Sequence, residues 1–166
     1  MAHTIVNLDN LKAVQAGIIY SARYYASATP TAIDNGHIVT LGILDTNERE
    51  VFVANAVSDA TADKVYLVTT PEVMYKVDEI GLENFYNVAS DEIRLHPLEV
   101  GDIFQVTTDA ITGTPVVGEY LISANSSTGY TTSATIGSTV FSAQVLESTK
   151  LGYNKISAIR MRVVKA

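Results

Sequence analysis

Cysteine and a surplus of positive charge are both missing from this 166-residue sequence. Without cysteine the chain has neither a disulfide framework nor a thiolate metal site. Its 11 lysines and arginines stand against 18 acidic residues, which gives a formal net charge of −7. Because non-specific nucleic-acid affinity comes from Lys and Arg side chains that displace counterions, we expect no DNA or RNA partner.

Long apolar runs are missing as well. The apolar stretch around residues 16–19 is far too short to span a bilayer, and the first residues lack the basic region that opens a signal peptide. We therefore expect a soluble protein that is made in the cytoplasm and has no membrane partner.

Charged residues are scarce relative to apolar ones. They make up 17% of the chain, against 47% for apolar residues, whereas soluble proteins usually have about 25% charged residues. A chain of this length can bury a core without disulfides or metal. The composition therefore indicates that much surface is hidden, either in this chain's own core or against other subunits.

A turn and a strand near the middle of the chain organise the predicted fold. Gly101 and Asp102 suit a tight turn, and Phe104 and Val106 then alternate with polar residues, as in a half-buried strand. Further strands are predicted at residues 37–44, 51–54, 64–69, 119–122, 140–146 and 156–164. We expect the second half of the chain to pair with the central strand, and the first half to supply strands to the same sheet or to one packed against it.

Four other segments have distinctive patterns. Residues 37–44 are almost continuously apolar, which suits a strand buried on both faces, and residues 45–50 form a charged turn that predicts a hairpin. Residues 123–139 are rich in Ser, Thr, Ala and Gly and predict a loop or a flat, solvent-facing hairpin. In the last strand, apolar residues alternate with Arg160 and Arg162, so we expect one core face and one basic face.

The N-terminal residues 1–30 are interpreted as an arm. It could contain a helix that begins near Asn7 or Asp9, or it could be extended and pair with another chain. A short helix is predicted from Thr70, a suitable N-cap, to Gly81, which would end it. The predicted fold is mainly β: a single antiparallel β-sandwich or barrel-like domain over residues 31–166, with one short helix and an N-terminal arm.

No pattern of catalytic residues is visible. The histidines His3, His37 and His96 are too scattered for a helical metal motif, and the chain has no nucleotide-binding loop and no nucleophile elbow. We therefore predict that the protein is not an enzyme and uses no metal or cofactor.

Five segments carry a resemblance to a known family. They are residues 5–11 (IVNLDNL), 32–41 (AIDNGHIVTL), 65–75 (VYLVTTPEVMY), 94–95 (RL) and 101–107 (GDIFQVT). Together they resemble small head proteins of tailed bacteriophages, the auxiliary capsid proteins also called decoration or cement proteins. The resemblance implies a β-rich, non-enzymatic virion protein on the capsid exterior that binds the major capsid protein in many copies. It also implies contact with neighbouring copies, with a homo-oligomer such as a trimer as one form.

Two sets of partner-binding residues follow from this interpretation. In the arm, the apolar residues are predicted to contact the major capsid protein or a neighbouring copy: Ile5, Val6, Leu8, Leu11, Ile18, Ile19 and Tyr20. Deleting residues 2–25 is then expected to abolish capsid binding while the β-domain still folds. Arg160 and Arg162 are the second set, either as a docking face for an acidic partner or as a solvated strand face.

Two other functions remain open from the sequence. A carbohydrate-binding or adhesin module would use Tyr120, Tyr130 and the Ser/Thr-rich segment as a shallow polar surface. A tail or neck subunit of a phage would have a similar composition.

Overall fold

The computed structural model describes residues 3–10, 18–46, 48–73, 82–152 and 154–166, which form thirteen strands in two sheets. The strands are β1 Val6–Asn10, β2 Tyr20–Ala26, β3 Thr29–Pro30, β4 Ile38–Leu44, β5 Val51–Asn55, β6 Tyr66–Val68, β7 Ile93–Pro97, β8 Ile103–Thr107, β9 Ile111–Thr112, β10 Tyr120–Ser123, β11 Tyr130–Ser133, β12 Ser142–Leu151 and β13 Ile156–Lys165. The mainly β fold class predicted from the sequence is confirmed.

Seven strands form the larger sheet, in the order β1-β8-β13-β12-β10-β11-β9. Its pairings are antiparallel except for the short parallel contact between β9 and β11. The predicted central strand is β8, which pairs with β1 on one side and with β13 on the other. Phe104 and Val106 of β8 are fully buried, as their alternation in the sequence predicted.

The second sheet closes on itself as a five-stranded barrel. β2 pairs with β5, β5 with β4, β4 with β6, β6 with β7, and β7 returns to β2. The β2–β5 pairing is parallel and the other four are antiparallel, while the two-residue β3 adds to β2 outside the ring. Buried residues that pack together in this sheet are Ala22, Ile33, Val39, Ala54, Val68, Ile93 and Leu95.

Strands β4 and β6 join the barrel to the larger sheet because both of their faces are buried. Val39 and Val68 belong to the barrel core, whereas their neighbours Ile38 and Leu67 belong to the core shared with the larger sheet. All four side chains are fully buried. The prediction of a strand buried on both faces is confirmed at the start of β4, but Ile43 near its end is 77% exposed.

The two closing strands β12 and β13 are confirmed. Ile159, Met161 and Val163 are at most 3% exposed and contribute to the shared core, while the arginines between them lie on the other face. The Ser/Thr-rich segment differs from the expectation of a solvent-facing stretch. It contains β11, which forms an antiparallel hairpin with β10, and Tyr130 in β11 is fully buried.

The described parts of residues 1–30 are strands of this chain's own sheets, which corrects the prediction of an arm. β1 pairs with β8 in the larger sheet, and β2 closes the barrel by pairing with β5 and β7. Deleting residues 2–25 would remove β1 and most of β2 from the two sheets, so we now expect that the rest does not fold. The extended alternative concerned residues 18–25, and β2 confirms the extended conformation there. In this structure β2 pairs within the chain, with β5 and β7.

The helix predicted from Thr70 to Gly81 falls mostly on residues 74–81, which lie outside the described residues. Within the described part of the chain there is no α-helix, and the helical structure consists of the single 3-10 turns Leu82–Asn84 and Thr108–Ala110.

A buried hydrogen bond ties the larger sheet to the loop before β4. The hydroxyl of Tyr130 donates to the carbonyl of Gly36 at 2.8 Å, and burial raises the pKa of this phenol. Gly36 has φ +83°, and a Cβ at this position would lie 2.9 Å from Val106. The close approach therefore requires glycine at this point.

Tyr130→Phe is expected to lower the free energy of unfolding by about 1–3 kcal/mol, because the buried Gly36 carbonyl loses its donor. Urea unfolding measures the change. Tyr120→Phe at a half-exposed site in β10 is the control and should change stability by less. Equal effects of the two substitutions would contradict a special role for the Tyr130 hydroxyl.

Candidate interaction surface

Three aromatic rings meet at one end of the barrel. The ring of Tyr20 lies 5.6 Å from that of Phe52 and 5.6 Å from that of Tyr66, and both contacts are edge-to-face. All three side chains pack against the barrel core but remain half-buried. The ammonium group of Lys64 lies 5.8 Å from the centre of the Tyr66 ring, a favourable cation–π distance. Burial raises the pKa of Tyr66.

Four exposed aliphatic residues adjoin these aromatic residues along the chain or in the strand register. Ile18 and Ile19 directly precede Tyr20 and are 43% and 42% exposed. Ile43 and Leu44, 77% and 45% exposed, end β4 where Leu44 pairs with Phe52. These residues are called the barrel-end patch: Ile18, Ile19, Tyr20, Ile43, Leu44, Phe52 and Tyr66. A grouped apolar surface of this kind marks an interaction site, whereas single exposed apolar residues are ordinary.

A polar cleft of about 360 Å³ includes residues of β2 and β5 in its lining. Its lining residues are Ser21, Glu48, Arg49, Glu50, Val51 and Glu92. Ser21 follows Tyr20 along β2 and Val51 precedes Phe52 along β5, so the cleft lies on the opposite face of the two strands that carry these rings.

A buried ion pair holds the hairpin that carries part of the patch. Arg23 donates to the carboxylate of Asp45 at 2.9 Å and to the carbonyl of Ser90 at 2.9 Å. The hydroxyl of Tyr25 donates to the same Asp45 oxygen at 2.8 Å, and the Asp45 side chain is only 4% exposed. Because Asp45 directly follows Leu44, these bonds fix the end of β4 against β2 and keep the patch in one geometry.

The structure places Ile5, Val6 and Leu8 away from the barrel-end patch. Ile5 is 3% exposed and its amide donates to Thr107, so its predicted contact with a partner is wrong. Val6 packs against the shared core. Leu8 is 40% exposed on β1, away from the barrel-end patch, and Leu11 lies outside the described residues.

The last three predicted arm residues come together in the patch. Ile18 and Ile19 are exposed there, and Tyr20 contributes its ring. The sequence reasoning missed Ile43 and Leu44 because they end an apolar run that resembles a buried strand throughout. The available signal was the charged turn that follows them, since a strand leading into an exposed turn must leave the core.

Arg160 and Arg162 lie on the larger sheet, on the face opposite its core. Arg160 pairs with Glu147 of β12 at 3.2 Å, and Arg162 donates to the side-chain oxygen of Gln144 at 3.1 Å. Both arginines thus have partners within the sheet, and they are not part of the barrel-end patch.

The carbohydrate-binding alternative loses one of its two aromatic residues. Tyr130 is fully buried and its hydroxyl is bonded to Gly36, so this ring does not lie on a surface. Tyr120 is half-exposed on β10.

Two of the histidines fasten the N-terminal residues to both sheets. His3 bonds to Asp34 at 2.8 Å, and the amide of Thr4 donates to the same carboxylate at 3.0 Å. His37 bonds to the hydroxyl of Thr128 at 2.8 Å and lies 3.4 Å from that of Thr4. Burial lowers the pKa of His37, and the negative charge of Asp34 offsets part of this effect. These bonds have a structural role, because they hold residues 3 and 4 against the loop before β4.

Across residues 3–10, 18–46, 48–73, 82–152 and 154–166, no group of three or more His, Asp or Glu side chains is placed to hold a metal ion. In the same part of the chain no helix has the length and apolar character needed to cross a membrane.

Comparison with known proteins assigns a family. The model of the YonC prophage protein family matches residues 1–136, which include the whole barrel and β1 and β8–β11 of the larger sheet. This chain belongs to the YonC prophage protein family. No curated protein matches it, and no solved structure does. The family confirms the phage origin that the resemblance predicted, while a role on the capsid stays a prediction.

His37→Gln is expected to reduce the acid sensitivity of the fold. Because the pKa of His37 is lowered in the folded state, the unfolded state binds the proton more readily, so stability falls as the pH drops below ~6.5. Glutamine keeps polar contacts and does not titrate. Urea unfolding at pH 7.5 and pH 5 should therefore show a smaller loss for the variant, and an equal loss would contradict the assignment.

Proposed function

We propose that this prophage protein is a non-enzymatic virion structural protein that binds the outer surface of a phage capsid and stabilises the shell by bridging major capsid subunits. The barrel-end patch is the observation that carries the proposal. It offers four exposed aliphatic residues that adjoin three aromatic residues along the chain or in the strand register. Aromatic residues and an apolar centre are features of surfaces that bind other proteins.

The patch is suited to strong collective attachment. Full burial of one exposed Ile or Leu side chain contributes about 1.5–3 kcal/mol, before the costs of association are subtracted. A protein that contacts two capsid subunits makes its second contact intramolecularly, so modest single contacts add up to high occupancy. The ion pair between Arg23 and Asp45 keeps part of the patch in a fixed geometry, which lowers the cost of ordering it on binding.

Bridging requires a second contact surface, and the larger sheet offers one. Arg160 and Arg162 lie on the face of this sheet that points away from the shared core, whereas the patch lies at the end of the barrel. Two surfaces on different sheets of one body could contact two neighbouring subunits. The larger sheet's arginines would favour an acidic surface on one of them.

The double variant Ile18→Asp/Ile43→Asp tests the patch. Both side chains are exposed, so the fold should persist, whereas cosedimentation with phage shells that lack their auxiliary proteins should weaken by about tenfold or more, because buried carboxylates oppose docking. Val100→Asp/Ile136→Asp, at exposed apolar positions outside the patch, is the matched control and should bind as the unmodified protein does. Equal binding of the two double variants would contradict a role for the patch.

Arg160→Gln/Arg162→Gln tests the second surface. If the arginines dock on an acidic surface, attachment to shells weakens and becomes less sensitive to salt, since two screened charge contacts are lost. Cosedimentation at low and high salt measures both effects. Unchanged binding and an unchanged salt dependence would show that this is only a solvated strand face.

A further inference from the structure

Strands β12 and β13 extend beyond the rest of the larger sheet. β10 pairs with β12 as far as Gln144, and the turn at Gly118 and Glu119 adds bonds to Val145. From residue 147 to residue 151, the partner of β12 is β13 alone among the strands that the structure describes. One edge of this segment is therefore open.

The register shows which backbone groups face the open edge. The amide of Thr107 donates to the carbonyl of Ile5, on the side of β8 that faces away from β13. Thr107 and its partner Ala158 are therefore not hydrogen-bonded to each other, and Ala158 directs its backbone polar groups towards β12. Ala158 pairs with Thr149, which is then hydrogen-bonded within the hairpin. Its neighbours Ser148 and Lys150 consequently direct their N–H and C=O groups outward, where an added strand could bond them.

A groove runs beside this edge. It has a volume of about 310 Å³, and its lining includes Thr108, Pro115, Ser148, Lys150, Ser157 and Ile159. The loop that carries Pro115 continues into Val116 and Val117, which are 49% and 59% exposed. A bond from the Gly118 amide to the Val145 carbonyl at 2.9 Å holds this loop against β12.

Lysines and acidic residues both lie near the groove. Asp109 follows the lining residue Thr108, and Glu83 accepts a hydrogen bond from Asn154 in the turn between β12 and β13. Lys150 and Lys155 are exposed, and neither forms an ion pair among the described residues. Glu147 is the one acidic residue after position 119 in the sequence, and it pairs with Arg160 on the opposite face of the hairpin. An acidic segment therefore suits this edge better than a neutral or basic one.

We propose that residues 147–151 of β12 and the adjoining groove bind an extended, acidic segment of a neighbouring virion protein, which adds to the larger sheet as a strand beside Ser148 and Lys150. Backbone bonds at the open edge provide register. Lys150 lies on the same face of the hairpin as the groove, so the acidic side chains of the added strand lie on that face and the apolar ones on the other. This inference rests on the proposed function for the origin of the segment, and deepens it by naming how the partner is held.

The test uses the full chain and a defined probe, the peptide Val-Glu-Val-Glu-Val-Glu-Val. Titration followed by amide NMR should shift the signals of residues 147–151 and 157–159, and the affinity should fall with added salt. Ser148→Pro removes one outward N–H without a change of charge, and proline is tolerated at such edge positions. It should weaken peptide binding about fivefold or more, whereas the control Ser148→Ala keeps the amide and should bind normally.

A matched peptide with lysine in place of glutamate should not bind. Absence of binding by the acidic peptide, or equal binding by the Ser148→Pro and Ser148→Ala variants, would overturn the inference. If the acidic peptide does not bind, Lys150 would instead serve to discourage strand pairing, as lysines on edge strands commonly do.

The same two variants are then tested on phage shells by cosedimentation. Loss of binding by Ser148→Pro alone supports the inference in the virion. Equal binding of both variants to shells overturns the inference and leaves the proposed function standing. If the unmodified protein binds the acidic peptide at this edge but binds no shell, the proposed function fails and the docking site stands with a different partner.

Discussion

The fold depends on the burial of strands β4 and β6 on both of their faces. Ile38 and Leu67 pack into the core under the larger sheet, while Val39 and Val68, one residue later in each strand, pack into the barrel. The two cores are therefore separated by a wall that consists only of strands β4 and β6. A substitution in this wall that disturbs one core displaces the backbone of the other, so the two sheets should unfold together and not as independent units.

The N-terminal residues are not a separate arm, because both sheets contain strands from this region. Strand β1 completes the larger sheet beside β8, and β2 closes the barrel, so each sheet takes one strand from the first 26 residues. The bonds of His3 and Thr4 to Asp34 hold the chain at the junction between them. What the first residues leave for a partner is limited to side chains that point away from both cores, and Ile18 and Ile19 are the clearest examples.

Local patterns predicted a large part of this structure. Strand β8 and the β12–β13 hairpin follow from alternation with period two, as the buried Phe104 and Met161 show. The pairing of β1 with β8 joins residues about a hundred positions apart, for which a single sequence holds no local signal. Tyr130 lies in a Ser/Thr-rich segment whose composition indicated exposure, but it is buried in the core shared with the larger sheet and bonds to Gly36, 94 residues away. The barrel-end patch was predicted only in part, because Ile43 and Leu44 have the same local pattern as buried residues.

The pairing of the chain's beginning with its middle has a consequence for biosynthesis. The amide of Ile5 bonds to Thr107, 102 residues further on, and β8 in turn pairs with β13 near the other end of the chain. Such distant contacts make folding slow, because the chain has to close large loops before the contacts stabilise it. During translation β1 and β2 emerge long before β8 and β7 can pair with them, so their open edges are exposed on the ribosome. Unpaired strands of neighbouring nascent chains are thus a hazard that this topology must survive until β13 has been synthesised.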